Sequence, residues 1–577
     1  MLVKNIKGWK ITGVIFLSLI IAISIAVYFV FSRLENIVKA ELENQCSSAS
    51  DGFYKLKIGD VKISLWDGYL TLENISLKPD SQLLFSKKTT DPETFRYYNF
   101  NLKKIEFTGV NFRKKFSNRQ LHFSQILLRK PEVLVFEQKG VDNVVENDTT
   151  TKISKNPYEY ITPLLKSLIV EEIKIEDGNA VYRIINPSDT IDYTLRDIQL
   201  KVENLLLDSM SVKQDKIFFS DNIFLNVGNL HFSLPNKDYD IDANNINISL
   251  NDSLFSTEEM ALIPRYAKFD FAYKIKDHPD WSNVKVGSLR CKGMDFKTLI
   301  KGRIILADSA LVKDVLFENF KNQKIIKQHH LMPMVYEIGQ QLPLKYDVKS
   351  VQARNFNVVY EELPKDGAKP GMIRFNDING DFTDFTNIVK SHKQVVKLKA
   401  NGKLMNQGVI NAYFEFPVDP AYDLVKIKGT MTGMKMTALN PIIEPMMPAR
   451  IESGHIQSLD FHIVGGKYNA NIDMLLLYND LKIDVLKTES DKTRSSQDVY
   501  SFLANAFIKH DNPDKDKEPR RIYTIWKRDP YHSSFNYLWK IFYAGIVETV
   551  GYTKDKQKKV NSIQKVFNDV KDWYKKE

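Results

Sequence analysis

The sequence predicts a mainly β protein that begins with a membrane-spanning helix and ends with amphipathic helices. Three observations predict this: polar and apolar residues alternate with a period of two along many segments, an uncharged apolar run lies near the N-terminus, and apolar residues recur at helical spacing after about residue 494. The composition, 43% hydrophobic and 26% charged, is that of a folded protein, and the length of 577 residues predicts either two or more domains or an elongated repeat architecture. The predicted segments are an anchor and lead-out over residues 1–50, a β segment over 51–493, and a helical, basic segment over 494–577.

The apolar run Ile11–Phe31 predicts the membrane anchor. As a helix it spans about 30 Å, the hydrocarbon thickness of a bilayer. Lys4, Lys7 and Lys10 precede it, so the positive-inside rule places the N-terminus in the cytoplasm and the rest of the chain across the membrane. A cleavable signal peptide is the alternative, but it would have a shorter apolar core followed by a small-x-small site. We therefore expect an uncleaved, single-pass anchor.

The period-two alternation predicts antiparallel sheet throughout the β segment. Three segments are predicted hairpins: Val61–Asn74, Val170–Ile184 and Ser458–Met474. Their tight turns fall at Asp67-Gly68, Asp177-Gly178 and Gly465-Gly466, where Gly tolerates positive φ. The first turn places Lys62 opposite Glu73. Folding about these turns gathers the following apolar residues on one face: Val61, Ile63, Leu65, Leu70, Leu72, Ile173, Ile175, Leu459, Phe461, Ile463, Tyr468 and Ile472.

A faint internal repeat accompanies the alternation. The strings IGDVKIS, VGNLHFS and VGSLRCK, which begin at Ile58, Val227 and Val286, share an apolar residue, a glycine and then alternating apolar positions. Either one kind of hairpin unit is used several times, or amphipathic strands have converged on similar strings. The irregular intervals exclude a propeller or a strict solenoid.

A sheet with one apolar face must pack on a second sheet, be covered by helices, or enclose an apolar ligand. Long amphipathic helices are missing from the sequence before residue 494. The sheet is therefore expected to curl on itself, either as a filled sandwich or barrel or as an open groove that holds something apolar. The residues alone leave both possibilities open.

The sequence has no residue pattern of an enzyme. Its two cysteines, Cys46 and Cys291, are too few and too far apart for a cysteine zinc site or a disulfide framework. It has no Gly-rich phosphate loop and no Gly-x-Ser-x-Gly motif. The formal charge of +10 is concentrated near the two ends of the chain, with no basic stripe of the kind that binds nucleic acid. We expect no catalytic residues, no metal, no cofactor and no nucleic-acid partner.

The motifs at both ends of the β segment resemble the AsmA-like family, whose larger relatives include TamB and the chorein-type lipid bridge proteins. The opening carries Ile58-Gly59-Asp60-Val61, the glycine turn at Asp67-Gly68 and the strand Leu72–Leu77. A late strand matches the pattern leucine-x-tyrosine-x-aspartate-leucine-lysine at Leu476, Tyr478, Asp480, Leu481 and Lys482. The segment after Asn505 is similar to the C-termini of family members from the Bacteroidota.

The resemblance implies an elongated, twisted antiparallel β-groove in the periplasm, anchored in the bacterial inner membrane. The groove of the family shields lipid acyl chains, so the implied role is lipid transport or outer-membrane biogenesis in the cell envelope. Membrane phospholipids are the implied partners, with envelope proteins as further partners. The twelve apolar residues gathered by the hairpins become the candidate lining of the groove.

The C-terminal segment contains a helix that is too apolar to be exposed and too short to cross a bilayer. Its apolar residues are Phe535, Leu538, Trp539, Phe542 and Ile546. They either cap the open end of the sheet or, with the basic cluster Lys554–Lys559, lie in a membrane interface.

Overall fold

The protein is described by a computed structural model. The described residues are 35–64, 68–90, 95–109, 120–139, 158, 165–186, 189–214, 216–234, 238–275, 279–325, 331–342, 344–447, 449–486 and 508–551. The helices are α1 Glu35–Ala49, α2 Ser81–Thr90, α3 Lys268–Lys274, α4 Phe296–Gly302, α5 Val335–Gln341, α6 Asn440–Met446 and α7 Ser534–Thr549. The strands are β1 Tyr54–Lys57, β2 Asp60–Ser64, β3 Tyr69–Pro79, β4 Phe95–Thr108, β5 Gln120–Gln138, β6 Ser167–Ile185, β7 Thr190–Asp208, β8 Asn222–Ser233, β9 Tyr239–Ser249, β10 Leu254–Pro264, β11 Trp281–Lys292, β12 Ile304–Asn322, β13 Lys345–Leu363, β14 Gly371–Thr386, β15 Val395–Leu404, β16 Gly408–Pro417, β17 Val425–Lys435, β18 Ala449–Gly465, β19 Asn469–Val485 and β20 Arg521–Lys527.

The fold is mainly β, and its strands form twisted, unclosed and mostly antiparallel sheet. The chain divides into two compact units. The first unit consists of residues 1–261 with 290–302, and the second of residues 262–289 with 303–577. The division falls inside the predicted β segment. Strand β20 lies in the segment that the sequence predicts to be helical, and it pairs antiparallel with β19.

The prediction of an antiparallel sheet throughout is wrong at two places. Strand β5 pairs parallel with β6 in the first unit, and β12 pairs parallel with β13 in the second. A parallel pair needs a crossover connection, which residues 139–166 and 323–344 provide. Alternating side chains could not reveal these pairs, because a strand with one wet face alternates in the same way whichever direction its neighbour runs.

The predicted hairpin at Asp177-Gly178 is also wrong, because β6 passes straight through this pair as one strand. Asp177 adopts a φ of 56°, and the register with β7 shifts between Ile175 and Gly178. The extra residue forms a β-bulge, which bends the strand and strengthens its twist. Because one residue is inserted, Ile175 and Tyr182 stay on the same face although their numbers differ in parity.

The same irregularity recurs at equivalent places in both units. Lys130 in β5 and Asp177 in β6 have φ values of 53° and 56°, and each lies ten residues after the first residue of its strand. Asp314 in β12 and Asn355 in β13 have φ values of 55° and 56° at that same position. Asn and Asp are the non-glycine residues that best tolerate this left-handed conformation. The two parallel pairs are therefore one structural arrangement that occurs twice.

The glycines of the faint sequence repeat lie against these irregular positions. A Cβ on Gly228 would lie 2.8 Å from Cβ of Asp197, a residue with a φ of 54°. A Cβ on Gly287 would lie equally close to Cβ of Asp314, at 2.8 Å, and one on Gly59 would lie 3.0 Å from Cβ of Asn74. Only glycine leaves room for the bulged neighbour at this distance. The repeat is thus a packing requirement between adjacent strands.

The two other predicted hairpins form, but with longer turns than predicted. In the first, Ser64 pairs with Tyr69 and Lys62 with Thr71, so Lys62 is not directly opposite Glu73. Lys62 still reaches Glu73 diagonally, at 2.9 Å between Nζ and Oε1. In the last hairpin Gly465 pairs with Ala470, which moves the turn beyond Gly465-Gly466. A shift by an even number of residues keeps every paired side chain on its predicted face.

The helices of the described ranges are all too short or too polar to cross a membrane. The predicted anchor Ile11–Phe31 lies outside the described residues, as does the basic cluster Lys554–Lys559.

The bulge at Asp177 gives a test of the fold. Replacing Asp177 by Val places a β-branched side chain at positive φ, so we expect a loss of stability of about 1–2 kcal/mol. Asp177→Asn and Asp177→Gly should change stability by less than half of that. Urea unfolding of the full chain in mild detergent measures all three variants. Equal midpoints for the Val and Asn variants would contradict the assigned backbone conformation.

Candidate functional site

Apolar side chains form continuous rows across the strands of the first unit, aligned by the strand register. One row crosses β3 to β9 through Leu72, Ile105, Leu128, Ile175, Leu200, Leu225 and Ile248. The next row crosses β3 to β8 through Leu70, Phe107, Ile126, Ile173, Val202 and Ile223. We call the face that carries these rows the inner face.

The burial of the first row changes along its length. Leu72, Ile105 and Leu128 on β3 to β5 are at most 1% exposed, and they belong to one packed cluster. Leu200 and Leu225, on β7 and β8, are only partly buried. The first row is therefore well covered at β3 to β5 and incompletely covered at β7 to β9, whereas Val202 and Ile223 of the next row are buried on β7 and β8.

The second unit shows the opposite order. A row crosses β13 to β19 through Val351, Phe382, Leu398, Phe414, Ile427, Ile463 and Ile472. The residues on β13 to β16 are partly buried, whereas Ile463 and Ile472 are fully buried. In this unit the inner face is covered at its C-terminal strands and incompletely covered at β13 to β16.

Helix α1 covers the edge of the sheet formed by β1 and β2. Glu43 Oε1 accepts a hydrogen bond from the backbone N–H of Ile58 at 2.9 Å, and Lys39 Nζ donates to the carbonyl of Gly59 at 3.2 Å. Leu42 packs against the buried cluster of the first unit. The helix thus occupies backbone groups that an open edge would offer to another chain.

Helix α7 covers the inner face at β18 and β19. Its residues Tyr537 and Ile541 are buried, and Phe542 lies edge-on to Phe461 with ring centroids 4.9 Å apart. A Cβ on Gly545 would lie 2.6 Å from Sδ of Met474, so glycine lets the helix approach the strand. The Oγ of Ser533 accepts a hydrogen bond from the N–H of Asn536 and caps the helix N-terminus.

The candidate lining residues within the described ranges lie on the inner face, with one exception. In the first unit Leu70, Leu72, Ile173 and Ile175 belong to the two rows, and Val61 and Ile63 on β2 pair with Leu72 and Leu70 at their starts. In the second unit Leu459, Phe461, Ile463 and Ile472 lie on the inner face. The exception is Tyr468, which is 67% exposed in the turn between β18 and β19. The longer turn is the reason, since Ile463 pairs with Ile472 and not with Tyr468. Leu65 lies outside the described residues.

The C-terminal candidates contact two buried clusters. Leu538, Phe542 and Ile546 pack against the cluster on β17 to β19, and Trp539 packs against a cluster around Tyr360. The side chain of Phe535 lies outside the described part of the chain.

Sequence reasoning missed the partly buried residues of the second unit. The sequence pattern could have identified Leu398, because Val396, Leu398 and Ala400 alternate with lysines in β15. Phe382 was not, since Asp377 and Asp384 both have positive φ and break the alternation of β14.

A buried carboxylate ends the inner face of the first unit. Glu137, at the end of β5, is 3% exposed and accepts a hydrogen bond from Arg96 Nε at 2.7 Å. The Tyr182 hydroxyl donates to the same carboxylate, and Lys139 pairs with it. Burial alone would raise the pKa of Glu137, but the bonds from Lys139, Tyr182 and Arg96 lower it overall.

The second unit has a corresponding cluster at the end of β13. Glu362 is 4% exposed, accepts a hydrogen bond from the Tyr360 hydroxyl at 2.8 Å and is also bonded by Gln323. Burial and the neighbouring Glu362 raise the pKa of Tyr360, so this tyrosine stays protonated. In each unit, a buried carboxylate bonded by a tyrosine therefore lies near the end of a long strand, beyond the apolar rows: Glu137 with Tyr182, and Glu362 with Tyr360.

A cavity of about 280 Å³ lies between α7 and the loop that follows β20. Its walls include Trp526, Lys527 and His532 near the loop and Trp539 and Lys540 on the helix. Its volume is near the lower end for small-molecule sites, and its lining combines aromatic side chains with lysines and with the carboxylates Glu362 and Asp529.

The described residues offer no evident centre for metal or thiol chemistry. Within them, no three His, Cys, Asp or Glu side chains are grouped to hold a metal ion. Burial raises the pKa of the Cys291 thiol to about 11, so it is protonated and weakly nucleophilic at neutral pH. What the arrangement offers is a large apolar surface with charged ends.

No protein-family model matches this sequence, and a comparison with curated proteins finds no match. The resemblance to the AsmA-like family therefore remains a prediction.

The packing of α7 gives a stability test. Ile541 is 3% exposed, so Ile541→Ala should lower stability by about 2–4 kcal/mol. Glu548→Ala on the exposed side of the same helix should change it by less than about 0.5 kcal/mol. Thermal unfolding and limited proteolysis of the full chain measure both. A similar response of the two variants would mean that the helix does not pack on the sheet as described.

The Glu137 cluster gives a pH test. Because the folded state lowers the pKa of Glu137, its charge stabilises the protein above the ordinary glutamate pKa, and this contribution is lost as pH falls through the lowered value. Glu137→Gln should cost about 1–3 kcal/mol at pH 7 and make stability decline less steeply below about pH 4.5. Glu73→Gln, in a more exposed pair with Lys62, should cost at most about 1 kcal/mol. Denaturant unfolding at several pH values measures the free energy of unfolding of each variant. If this free energy falls equally with pH in the wild type and in Glu137→Gln, the stabilising role of the Glu137 carboxylate is refuted.

Proposed function

We propose that this protein is a membrane-anchored periplasmic β-groove protein that shields lipid acyl chains, in lipid transport or outer-membrane biogenesis. The observation that carries the proposal is the incomplete covering of the inner face. In the second unit, Val351, Phe382, Leu398 and Phe414 form an uninterrupted apolar row that the described residues leave partly exposed.

The energetics favour a guest on this row. Full burial of an aliphatic or aromatic side chain contributes roughly 1.5–3 kcal/mol, and each partly exposed member of the row forgoes some of it. A hydrocarbon chain laid across the strands would recover that contribution without needing hydrogen bonds from the protein. Soluble surfaces rarely keep large contiguous apolar patches without a partner.

The proposed anchor and location rest on the sequence. The run Ile11–Phe31 would hold the N-terminus in the inner membrane with the sheet on the periplasmic side. The opening motif at Ile58–Val61 and the late strand around Tyr478 resemble the AsmA-like family, in which such sheets carry lipid.

A filled-core scaffold that binds envelope proteins is the second candidate function. This function is favoured by the tight packing of the N-terminal strands of the first unit and the C-terminal strands of the second. Ile105 and Phe107 on β4 and Ile472 on β19 are at most 2% exposed. In that case the partly exposed rows would be closed by a protein partner rather than by lipid.

Native mass spectrometry of the full chain, extracted in mild detergent, tests the proposal. We expect co-purifying phospholipid in the wild type and at least a fivefold loss in Leu398→Asp, because a carboxylate on the inner face repels acyl chains. Asn401→Asp is the matched control, since Asn401 is exposed on the other face of the same strand β15. Lipid-free wild-type protein would refute lipid carriage.

A second variant separates lost carriage from lost folding. Leu398→Trp keeps the position apolar but fills the space above it. A groove should tolerate this change and carry less lipid, whereas a filled core should be destabilised by about 1–3 kcal/mol through overpacking. Unchanged lipid in both Leu398 variants, together with a folded protein, would show that Leu398 does not face the cargo.

A further inference from the structure

Exposed apolar side chains are concentrated along one rim of the second unit. They are Leu331, Val335, Ile338, Leu342, Tyr468 and Tyr531, each about half exposed or more. We call these six residues the rim strip. Four belong to α5 and the residues next to it, and two lie in the turns that follow β18 and β20.

Hydrogen bonds hold α5 along the ends of the strands. Gln340 Nε2 donates to the carbonyls of Asn387 and Val418, which follow β14 and β16, at 2.9 Å each. Glu337 pairs with Lys467 in the β18–β19 turn at 2.8 Å, and the N–H of Met332 donates to the carbonyl of Pro530 after β20 at 2.8 Å. The helix is therefore fixed to four strand ends at one edge of the sheet.

Arg528 fixes the same corner from inside. Its side chain is 4% exposed and donates from Nη2 to the carbonyls of Met332 and His532, at 2.6 and 3.3 Å. A buried guanidinium that joins two loops holds the rim strip rigid, so its apolar residues are kept outward at a cost in solvation.

The rim strip lies at the ends of strands that carry the partly buried row. The strands whose ends α5 joins, β14 and β16, carry Phe382 and Phe414, which are members of the incompletely covered row. An acyl chain that entered the inner face between these strands would cross this rim.

The charges beside the rim strip favour an anionic surface. Among the described residues, Lys393 and Lys527 are exposed and pair with no carboxylate. The carboxylates of the same corner are already engaged: Glu337 with Lys467, Asp347 with Lys390, Asp419 with His392 and Asp529 with His532. Lys527 also lines the 280 Å³ cavity with Trp526 and His532, next to Tyr531. Aliphatic tips flanked by tyrosines and lysines are the composition that lies stably in a membrane interface.

We propose that the rim strip docks onto a lipid bilayer with anionic headgroups, so that Leu331, Val335 and Ile338 enter the headgroup region. Single apolar side chains from a short helix and two separate turns can enter a fluid bilayer one by one, whereas a protein partner would need a surface that matches all of them at once. This inference rests on the proposed function for its cargo route, but the contact itself is measured separately.

Fluorescence quenching tests the contact. The full chain, with Cys46→Ser and Cys291→Ser, carries one environment-sensitive fluorophore at Tyr468→Cys, Tyr531→Cys or Tyr523→Cys. Tyr523 is the matched control, because it is 70% exposed on the outer face of β20. The protein is reconstituted in vesicles of phosphatidylethanolamine and phosphatidylglycerol whose acyl chains are brominated. We expect at least threefold stronger quenching at positions 468 and 531 than at 523.

The paired variant Val335→Glu with Ile338→Glu should abolish this difference while its thermal unfolding midpoint stays at the wild-type value, because both side chains are exposed. Equal quenching at the three positions overturns the inference. So does a concentration-dependent blue shift at 468 and 531 without lipid, which would assign the rim strip to protein–protein contact. If the protein co-purifies without lipid but is quenched more strongly at positions 468 and 531, the proposed cargo is refuted and the docking surface is supported. If it co-purifies with lipid but quenching is equal at all three positions, the docking surface is refuted and the cargo is supported.

Discussion

The need to cover one apolar face of a sheet governs this structure. The strand register lines up apolar side chains in rows that cross up to seven strands, so an uncovered row would expose a continuous strip to water. Each unit solves the problem at one end only. In the first unit the rows at β3 to β5 lie in one packed cluster, against which Leu42 of α1 also packs, and in the second unit α7 buries them at β18 and β19. The remaining strands keep a partly exposed apolar face, on which we propose that lipid acyl chains bind.

The bulges allow these long strands to curve while their apolar side chains stay on the same side of the sheet. Lys130, Asp177, Asp314 and Asn355 adopt positive φ at the same place in four 19-residue strands, and the register shifts beside Asp177 and Asn355. Such irregularities bend and twist a strand, and the apolar side chains return to the inner face beyond them. Close-packed glycines such as Gly228 make room for the neighbouring bulge. Curvature and a continuous apolar surface are thus obtained together, and the arrangement recurs in both units.

Particular residues show how far the sequence could be followed. The alternation identified Val61, Leu72, Ile463 and other residues as members of one face, because register shifts by an even number leave the facing unchanged. The Asp177-Gly178 pair was misleading, since the positive φ that permits a tight turn also permits a bulge in a continuous strand. Tyr468 was misplaced for a related reason: a longer turn took it off the face. Phe382 was hidden because Asp377 and Asp384 adopt positive φ and break the alternation of β14.

By itself, the sequence determined the predominance of strands, the apolar identity of one face and the apolar character of the C-terminal helix, because these follow from local alternation and spacing. Tertiary structure alone decided that two strand pairs are parallel, that α7 lies on β18 and β19, and that exposed apolar residues from separate loops meet along one rim. Strand partners and helix docking depend on which surfaces remain to be buried once the sheet has twisted. That is a property of the folded whole, and no short segment encodes it.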